Sequence, residues 1–573
     1  MKKINEFIKT ILLSFSITIL SSCGSLNGSN SLNHPSSSDK PLEIIVPSNS
    51  DMFTETDKNA SYDIMDSNTI FLSGSSANVS SSSITVSNNL ITINAEGTYM
   101  IKGNSTNQSI IVNTANEKVK LVLSDVTMIN DNFAALYIKN ADKVFIILEG
   151  NNTLSVMNDF VTIDENSVDG TIFAKDDITI QGDGNLILNS SKHGIVGKDD
   201  IKITGGTITI SAVSHGIQAN DSVRISDANL NINAGKDGIQ VENTDDETKG
   251  YVYFESGFAE IIAGYDGIDA SSTVQITNGV LNITSGGGSN KTVSSTNSTK
   301  GIKAQKDILI TDGSITIDSS DDSIHSNGSI EITGGIFTLS SNDDGIHADS
   351  SLIISNGSIT ITKSYEGLEA QNVNISGGKI AIKASDDGIN AAGGNDNSSI
   401  GGRPGQNSFN TNINAFITIS GGEIYVNSEG DGIDSNGNLT ISGGLTIVEG
   451  PTNNGNGALD YDGTGTVTGG TLIAIGSSGM AMNFSSATQG SILLNINSQK
   501  AGTTISLNDS NGNEILSMTA TKAYSSVLIT SESLIQGNSY NITAGSSTNT
   551  VILTTLIYGK GSSMGGGQPG GRW

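Results

Sequence analysis

The stretch from Asp321 to Ser350 reads DDSIHSNGSIEITGGIFTLSSNDDGIHADS, and its opening phrase, Asp321-Asp322-Ser323-Ile324-His325, returns as Asp343-Asp344-Gly345-Ile346-His347. The offset is 343 − 321 = 22 residues. A charged residue or His followed by Gly and then Ile or Leu occurs at Gly194, Gly216, Gly238, Gly267, Gly301, Gly345, Gly367, Gly388 and Gly432, with Ser323 in place of one glycine. Successive offsets are 22, 22, 29, 34, 22, 22, 22, 21 and 44, the last being twice 22. A repeat this regular predicts a solenoid. The apolar residues keep the same register: Ile324/Ile346/Leu368, Ile330/Leu352, Ile332/Ile354, Phe337/Ile359 and Leu339/Ile361. Each unit offers two alternating runs, such as Ser329–Thr333 and Ile336–Ser340, and a short third at Ile346–Ala348. Alternation of β-branched residues predicts strands with one apolar face. The pairs Gly334-Gly335, Asn356-Gly357, Gly377-Gly378, Gly421-Gly422 and Gly443-Gly444 punctuate them and supply the positive φ of tight corners. Three strands and three corners per turn describe a rung of a parallel β-helix, whose inward side chains are buried only when rungs stack.

Working outward, the chain of 573 residues carries 58 acidic against 29 basic groups, a formal charge of −29. A surface of that sign excludes phosphate-tracking nucleic-acid recognition, which needs stripes of Lys and Arg. Divalent cations and cation-bridged surfaces are its natural partners. The single cysteine, Cys23, excludes a disulfide framework. It ends a basic, then apolar, then Leu20-Ser21-Ser22-Cys23 leader that reads as a bacterial export signal, residues 1–23, with Cys23 as its lipidated residue. The apolar run is too short to span a bilayer alone. Residues 24–66 are rich in Ser and Asn and read as a flexible tether, with a mean reach of roughly 35 Å.

Residues 67–169 are β-rich without the clear signature and read as an N-terminal cap with irregular first rungs; an open end would expose the apolar column and a strand edge. Regular rungs are expected over 170–484. Insertions at Asn243–Gly257, Gly286–Thr299 and Ala391–Ala415 should leave rung corners as loops. Residues 485–560 read as a small antiparallel β-domain or C-terminal cap, and 561–573 as a disordered Gly-rich tail.

The chemistry concentrates beside the Gly-Ile corner. Asp321/Asp343, Asp322/Asp344/Glu366 and His325/His347/Glu369 are in register, which sets like groups about 4.7–4.9 Å apart. Stacked carboxylates at that distance repel unless a cation lies between them. Two oxygens on opposite sides of one calcium ion are about 5 Å apart. The candidate clusters are Asp321, Asp322, Asp343 and Asp344; Glu366, Glu369, Asp386, Asp387 and Asn390; Asp237, Asp266 and Asp269; and Asp431, Asp434 and Asp460. The competing explanation is a solvated corner in which Asp serves the turn. The ladders His193/His215 and His325/His347 read as polar corner residues on the exposed face, and Tyr251, Tyr253, Tyr265 and Tyr365 as candidate platforms for neutral sugars.

The lipobox-like leader, the pattern Thr92-Ile93-Asn94-Ala95-Glu96-Gly97-Thr98-Tyr99 followed by Lys118-Val119-Lys120-Leu121-Val122-Leu123, and the repeated S-(N/D)-D-G-I-x-A with I-T-I-S-G-G resemble the bacterial cell-surface carbohydrate-binding domain-containing family. The resemblance covers about residues 67–560. It implies an all-β, right-handed parallel β-helix, calcium between rungs, and binding of plant polysaccharides including cellulose and polygalacturonate. The implied fold is similar to that of family-nine pectate lyases, which hold calcium with aspartates of adjacent rungs and abstract a proton with a lysine. The nearest counterpart is Asp237, then Asp266 and Asp269, then Lys300 or Lys303, with Tyr265 where an aspartate would be expected. A base needs a pKa near the working pH, whereas an exposed Lys300 beside carboxylates would hold its proton more tightly. The expectation is a lipid-anchored, extracytoplasmic cell-surface polysaccharide binder, stabilised by calcium and non-catalytic. A lyase and a structural adhesin or spacer are its alternatives.

Overall fold

The computed structural model describes residues 52–291, 297–392 and 414–561. The leader with Cys23, most of the expected tether, residues 393–413 of the third insertion, and the tail from residue 562 onward lie outside the described residues. Among the described residues the chain falls into two compact units, one spanning 52–373 and the other comprising 374–392 and 414–561. No helix among them is long and apolar enough to cross a membrane.

The first unit is a parallel β-helix. The rung Ile324–Ser326, Ser329–Ile332 and Ile336–Ser340 pairs in parallel with Ile346–Ile354 and Ser358–Ser364. Ile324 lies opposite Ile346, Ile330 opposite Leu352 and Phe337 opposite Ile359, the partners expected from the repeat. Period-two alternation turns these residues inward, so Ile195, Ile217, Ile239, Ile268, Ile302, Ile324 and Ile346 form one buried column. Burying such a side chain contributes roughly 1.5–3 kcal/mol, which only a neighbouring rung can supply.

The signature glycines answer to close approach rather than to backbone sign. A Cβ on Gly216 would lie 2.6 Å from the carbonyl oxygen of Gly238, and one on Gly345 would lie 2.6 Å from that of Gly367. At the Gly-Gly corners the second residue carries the left-handed conformation, as at Gly335 with φ +95°.

Parallel pairing begins earlier than the repeat suggests. Ser67–Gly74 pairs with Gly97–Thr106, which pairs with Lys118–Asn130, and so on through Lys143–Glu149. Two of these first strands are long, 10 residues for Gly97–Thr106 and 13 for Lys118–Asn130, and two antiparallel hairpins, Ser67–Gly74 with Ser76–Val79 and Ile84–Ser87 with Leu90–Ile93, start the coil. The expected tether is also shorter, since Met52 and Asp57 are buried on this unit. The first insertion is shorter too, because Tyr251–Phe254 is a strand in register with Ser222–Ile225.

The second unit continues the same pattern from Lys379–Ala384 with Glu423–Ser428, and Ile389–Ala391 with Ile433–Ser435, to Leu459–Tyr461. It then turns antiparallel: Gly465–Gly476 and Gly490–Gln499 both pair with Tyr524–Ser531. A four-stranded antiparallel sheet of Thr504–Asp509, Glu514–Thr519, Ser539–Ala544 and Ser547–Ile552 follows. Ile473, Ile505, Leu507, Val527, Ile542 and Val551 pack between these sheets, the small β-domain expected at this end.

Candidate metal centres along the acidic ladder

The acidic corner immediately precedes the short strand that carries the Gly-Ile signature, so each rung delivers its carboxylates to the same edge of the coil. They first serve the backbone. One oxygen of Asp237 accepts the backbone N–H of Asp266 at 2.9 Å, and one of Asp266 accepts that of Lys300 at 2.6 Å. Asp322 accepts from Asp344 at 3.0 Å, and Asp344 from Glu366 at 3.1 Å. In the second unit Asp387 accepts from Asp431 at 2.6 Å and Asp431 from Gly457 at 2.5 Å. Each such carboxylate therefore pins the next rung and keeps its other oxygen for a cation.

What fills that second position differs along the first unit. His215 Nδ1 lies 3.0 Å from Asp237. Lys303 Nζ lies 3.3 Å from both Asp266 and Asp269. Burial pushes the carboxyl of Asp266 up to about 7, against the opposing pull of Lys303. Lys300 Nζ is 2.8 Å from Asp321 and 2.8 Å from Asp322. Lys300 is wholly buried, not exposed as expected. Burial alone would release its proton, but the two aspartates more than offset this and raise its pKa. Burial likewise opposes ionisation of Asp322, and Lys300 and His325 overcome it to hold that carboxyl well below the usual range. Lysines thus stand where the sequence placed calcium at Asp266/Asp269 and beside Asp321/Asp322. A fixed ammonium and a divalent ion would compete for the same oxygens.

The histidines are buried rather than exposed. His193 and His215 stack with ring centroids 5.1 Å apart, and His325 and His347 with centroids 4.8 Å apart. His325 Nδ1 is 2.7 Å from Asp322. His347 contacts Asp344 at 3.2 Å, Glu369 at 2.8 Å and Asp349 at 3.2 Å. Burial works against the imidazolium of His347, but Glu369, Asp344 and Asp349 raise its pKa well above the ordinary value. Glu369 therefore joins Asp344 and His347, while Glu366 contributes its backbone N–H to Asp344.

Among the described residues, four groups bring ligand atoms within 4.8 Å of one another: Asp321/Asp322/Asp343, Asp344/His347/Glu369, Asp387/Asp431/Asp434 and Asp199/Asp200/Asp221. The last was not foreseen, because it lies at a different corner. Its signal was the 22-residue step from Asp199 to Asp221, and Lys249 at 2.5 Å from Asp221 and Arg224 at 2.8 Å from Asp200 already neutralise part of it.

Asp387/Asp431/Asp434 is different. Among the described residues none of the three makes an ion pair with Lys, Arg or His. Burial, reinforced by the neighbouring carboxylates, pushes Asp387 up to about 9, Asp434 to about 8 and Asp431 to about 7. Asn390 and Asp460 flank Asp434 in register on the adjacent rungs, and Asp386 is half-buried beside Asp387. An all-oxygen set of this density suits calcium, which takes six to eight oxygen ligands, better than a nitrogen- or sulfur-seeking metal. Of the expected sugar platforms, Tyr251 and Tyr253 are buried, whereas Tyr265 and Tyr365 are half-exposed.

The family model for carbohydrate-binding domain-containing proteins matches residues 87–345 and 343–551. A carbohydrate-binding domain-containing protein of Acetivibrio thermocellus is 44% identical over 210 residues, covering 36% of this chain and 73% of that relative. A solved polysaccharide lyase-like protein from C. thermocellum, determined as a gadolinium derivative, is 36% identical. That similarity covers 39% of this chain and 92% of the solved one, with a TM-score of 0.37. With the family model matching from the first coils into the terminal antiparallel domain, the chain belongs to the carbohydrate-binding domain-containing protein family.

Proposed function

We propose that this protein is a lipid-anchored, cell-surface polysaccharide-binding protein that uses calcium and does not cleave its ligand. Family membership supports a carbohydrate ligand. The observation that carries the calcium reading is the Asp387/Asp431/Asp434 cluster, one buried and two half-buried carboxylates without an ion-paired cation among the described residues. Asp431 and Asp434, with Asp387 and Asn390, would hold the ion. Calcium there would neutralise the cluster, tie adjacent rungs together and offer remaining coordination positions to an acidic glycan. Polygalacturonate fits that chemistry, because its carboxylates could share an ion with the ladder despite the chain's negative charge; cellulose would depend on the half-exposed tyrosines.

The ladder lysines support a binding rather than a cleaving role. A base for β-elimination must lose its proton near working pH, and the carboxylates around Lys300 and Lys303 raise both pKa values instead. The test is retention on immobilised polygalacturonate and on cellulose, with calcium or with chelator. Calcium-dependent retention without unsaturated product is the expected result; retention that ignores calcium, or product absorbing in the ultraviolet, would overturn it.

A further inference from the structure

A second site lies on the first unit, apart from the Gly-Ile ladder and beside the Asp199/Asp200/Asp221 corner, whose Asp200 pairs with Arg224 at 2.8 Å. Lys120, Phe145, Thr179, Lys202, Arg224 and Tyr253 occupy successive rungs in one register row. In an acidic chain, this row collects cations and ends in an aromatic ring. It is covered by the chain's own segment 52–62. Asp57 is fully buried there. Its Oδ1 accepts from Lys143 Nζ at 2.5 Å and from the Thr179 hydroxyl at 2.9 Å. Its Oδ2 lies 3.4 Å from Lys202 Nζ and accepts from the Thr54 N–H and hydroxyl, each at 2.9 Å. The Thr204 hydroxyl donates to the Asp57 carbonyl.

The rest of the segment is held along the same row. Lys120 Nζ donates to the Ser61 carbonyl at 2.7 Å and Arg224 Nη1 to the Met52 carbonyl at 3.1 Å. Phe53 packs on Tyr253 with ring centroids 6.0 Å apart, Met52 packs against Tyr251 and Tyr253, and Lys58 pairs with Glu255.

We propose that this row is a carboxylate-binding groove for an acidic polysaccharide, occupied here by the segment 52–62, with Asp57 in the position of a uronate carboxylate. Packing alone does not call for a buried charge, which must be stripped of water even when it is paired. Here the contact is a carboxylate set among two ammonium groups and a hydroxyl, which is how a uronate would be bound. Without Asp57, the nearest carboxylate to Lys202 Nζ is Asp200 at 4.0 Å. The rungs repeat at about 4.7–4.9 Å, close to the length of one pyranose unit, so an extended polyuronate could meet a rung per sugar, and Tyr253 and Tyr251 would receive a ring face. Because the segment is tethered, it competes at an effective concentration on the order of millimolar. Ligand therefore gains access only when the segment lifts. The ligand class rests on the polysaccharide-binding reading above, but calcium has no part in this site.

The test uses the full chain carrying Asp57→Arg, which turns the segment's anchor into a repelling charge. Retention on polygalacturonate is measured in chelator, where the ladder sites are inactive, beside fully esterified pectin and dextran sulfate. We expect at least a tenfold gain in chelator-resistant retention on polygalacturonate over the wild type, none on the ester, and its loss when Lys202→Gln and Arg224→Gln are added. A folded Asp57→Arg protein that gains nothing overturns the proposal, as does equal retention of dextran sulfate, which would mark an unspecific cationic patch. Should that variant fail to melt cooperatively, a protease site replacing the exposed residues Asp63–Asp66 is cut after folding, and the same gain or its absence decides. The wild type's calcium-dependent retention is scored separately, so this site and the ladder can fail independently.

Discussion

Asp322 accepts the backbone N–H of Asp344 from the next rung at 3.0 Å while its other oxygen lies 2.8 Å from the buried ammonium of Lys300. The same residue therefore spaces the coil and balances its charge. This double use explains why aspartate recurs at the corner: a shorter polar side chain could serve the amide or the cation, but not both. It also explains why the ladder tolerates different partners, because the backbone clamp is unchanged whether His215, Lys303 or Lys300 stands opposite.

Removing the Asp322 carboxylate should be costly. Asp322→Ala leaves the Asp344 N–H without its acceptor and Lys300 with Asp321 alone. Breaking a buried pair typically costs about 3–5 kcal/mol. Asp322→Asn keeps an acceptor for the amide and should cost less. Urea unfolding midpoints of the two variants check this; equal losses would show that the clamp contributes nothing.

The second unit should become less stable as pH rises when calcium is withheld. Asp387, Asp431 and Asp434 titrate in the folded chain at about 9, 7 and 8, above the ordinary carboxyl value of 3.8. Between those values the folded state binds more protons than the unfolded state, so stability falls with rising pH. The contribution is fully present below about pH 4 and is lost as pH climbs through 7 to 9. Calcium competes with those protons, so its stabilisation should be larger at pH 8.5 than at pH 5.5, reaching about 2.7 kcal/mol at a hundredfold excess over Kd. Melting curves in chelator and in calcium at both pH values check the sign, and Asp431→Asn with Asp434→Asn should remove the calcium effect.

Gly345→Ala should destabilise the coil by about 1–3 kcal/mol through overpacking, since its Cβ would sit 2.6 Å from the Gly367 carbonyl oxygen and 2.6 Å from Ile361 Cδ1. Ser323 occupies the equivalent position one rung earlier, and there the Ile324 N–H reaches the Gly345 carbonyl at 3.3 Å, against 3.0 Å for Ile302 to Ser323. Ser323→Gly removes that side chain's close approach but also its hydroxyl contact with Ser319 at 3.3 Å, so it should change stability less than Gly345→Ala does in the same thermal melts.

The coil was legible because every rung solves one packing problem with one pattern, so Ile324, Ile330 and Phe337 carry their neighbours' register in the sequence. Much of the site chemistry was not. The carboxylates beside Lys300 are legible in the sequence, but its burial is not; only the coordinates reveal its ammonium enclosed between Asp321 and Asp322. The histidines, polar and next to acids, read as exposed, yet stacking buries them. Asp57 has no copy elsewhere in the chain, and its contacts with Lys143, Thr179 and Lys202 join residues 86, 122 and 145 positions apart, which no local pattern encodes. Nothing in the sequence marks Tyr251 and Tyr253 as covered, because residues 52–62 continue a Ser- and Asn-rich stretch that reads as a tether.

Lys300 also decides which part of the ladder can answer to calcium. With its ammonium present, Asp321 and Asp322 are compensated, and a divalent ion entering the Asp321/Asp322/Asp343 group would have to displace a cation that is covalently part of the chain. Lys300→Gln removes that charge and leaves buried carboxylates facing one another across rungs about 4.7–4.9 Å apart. In chelator the variant should be destabilised by about 3–5 kcal/mol, as for any buried pair stripped of one partner. Calcium should restore part of the loss, and the restored part should vanish when Asp343→Asn is added. A Lys300→Gln protein whose melting temperature ignores calcium would mean that the ladder's spacing admits an ammonium but not a metal ion, and would weigh against calcium in the first unit as a whole.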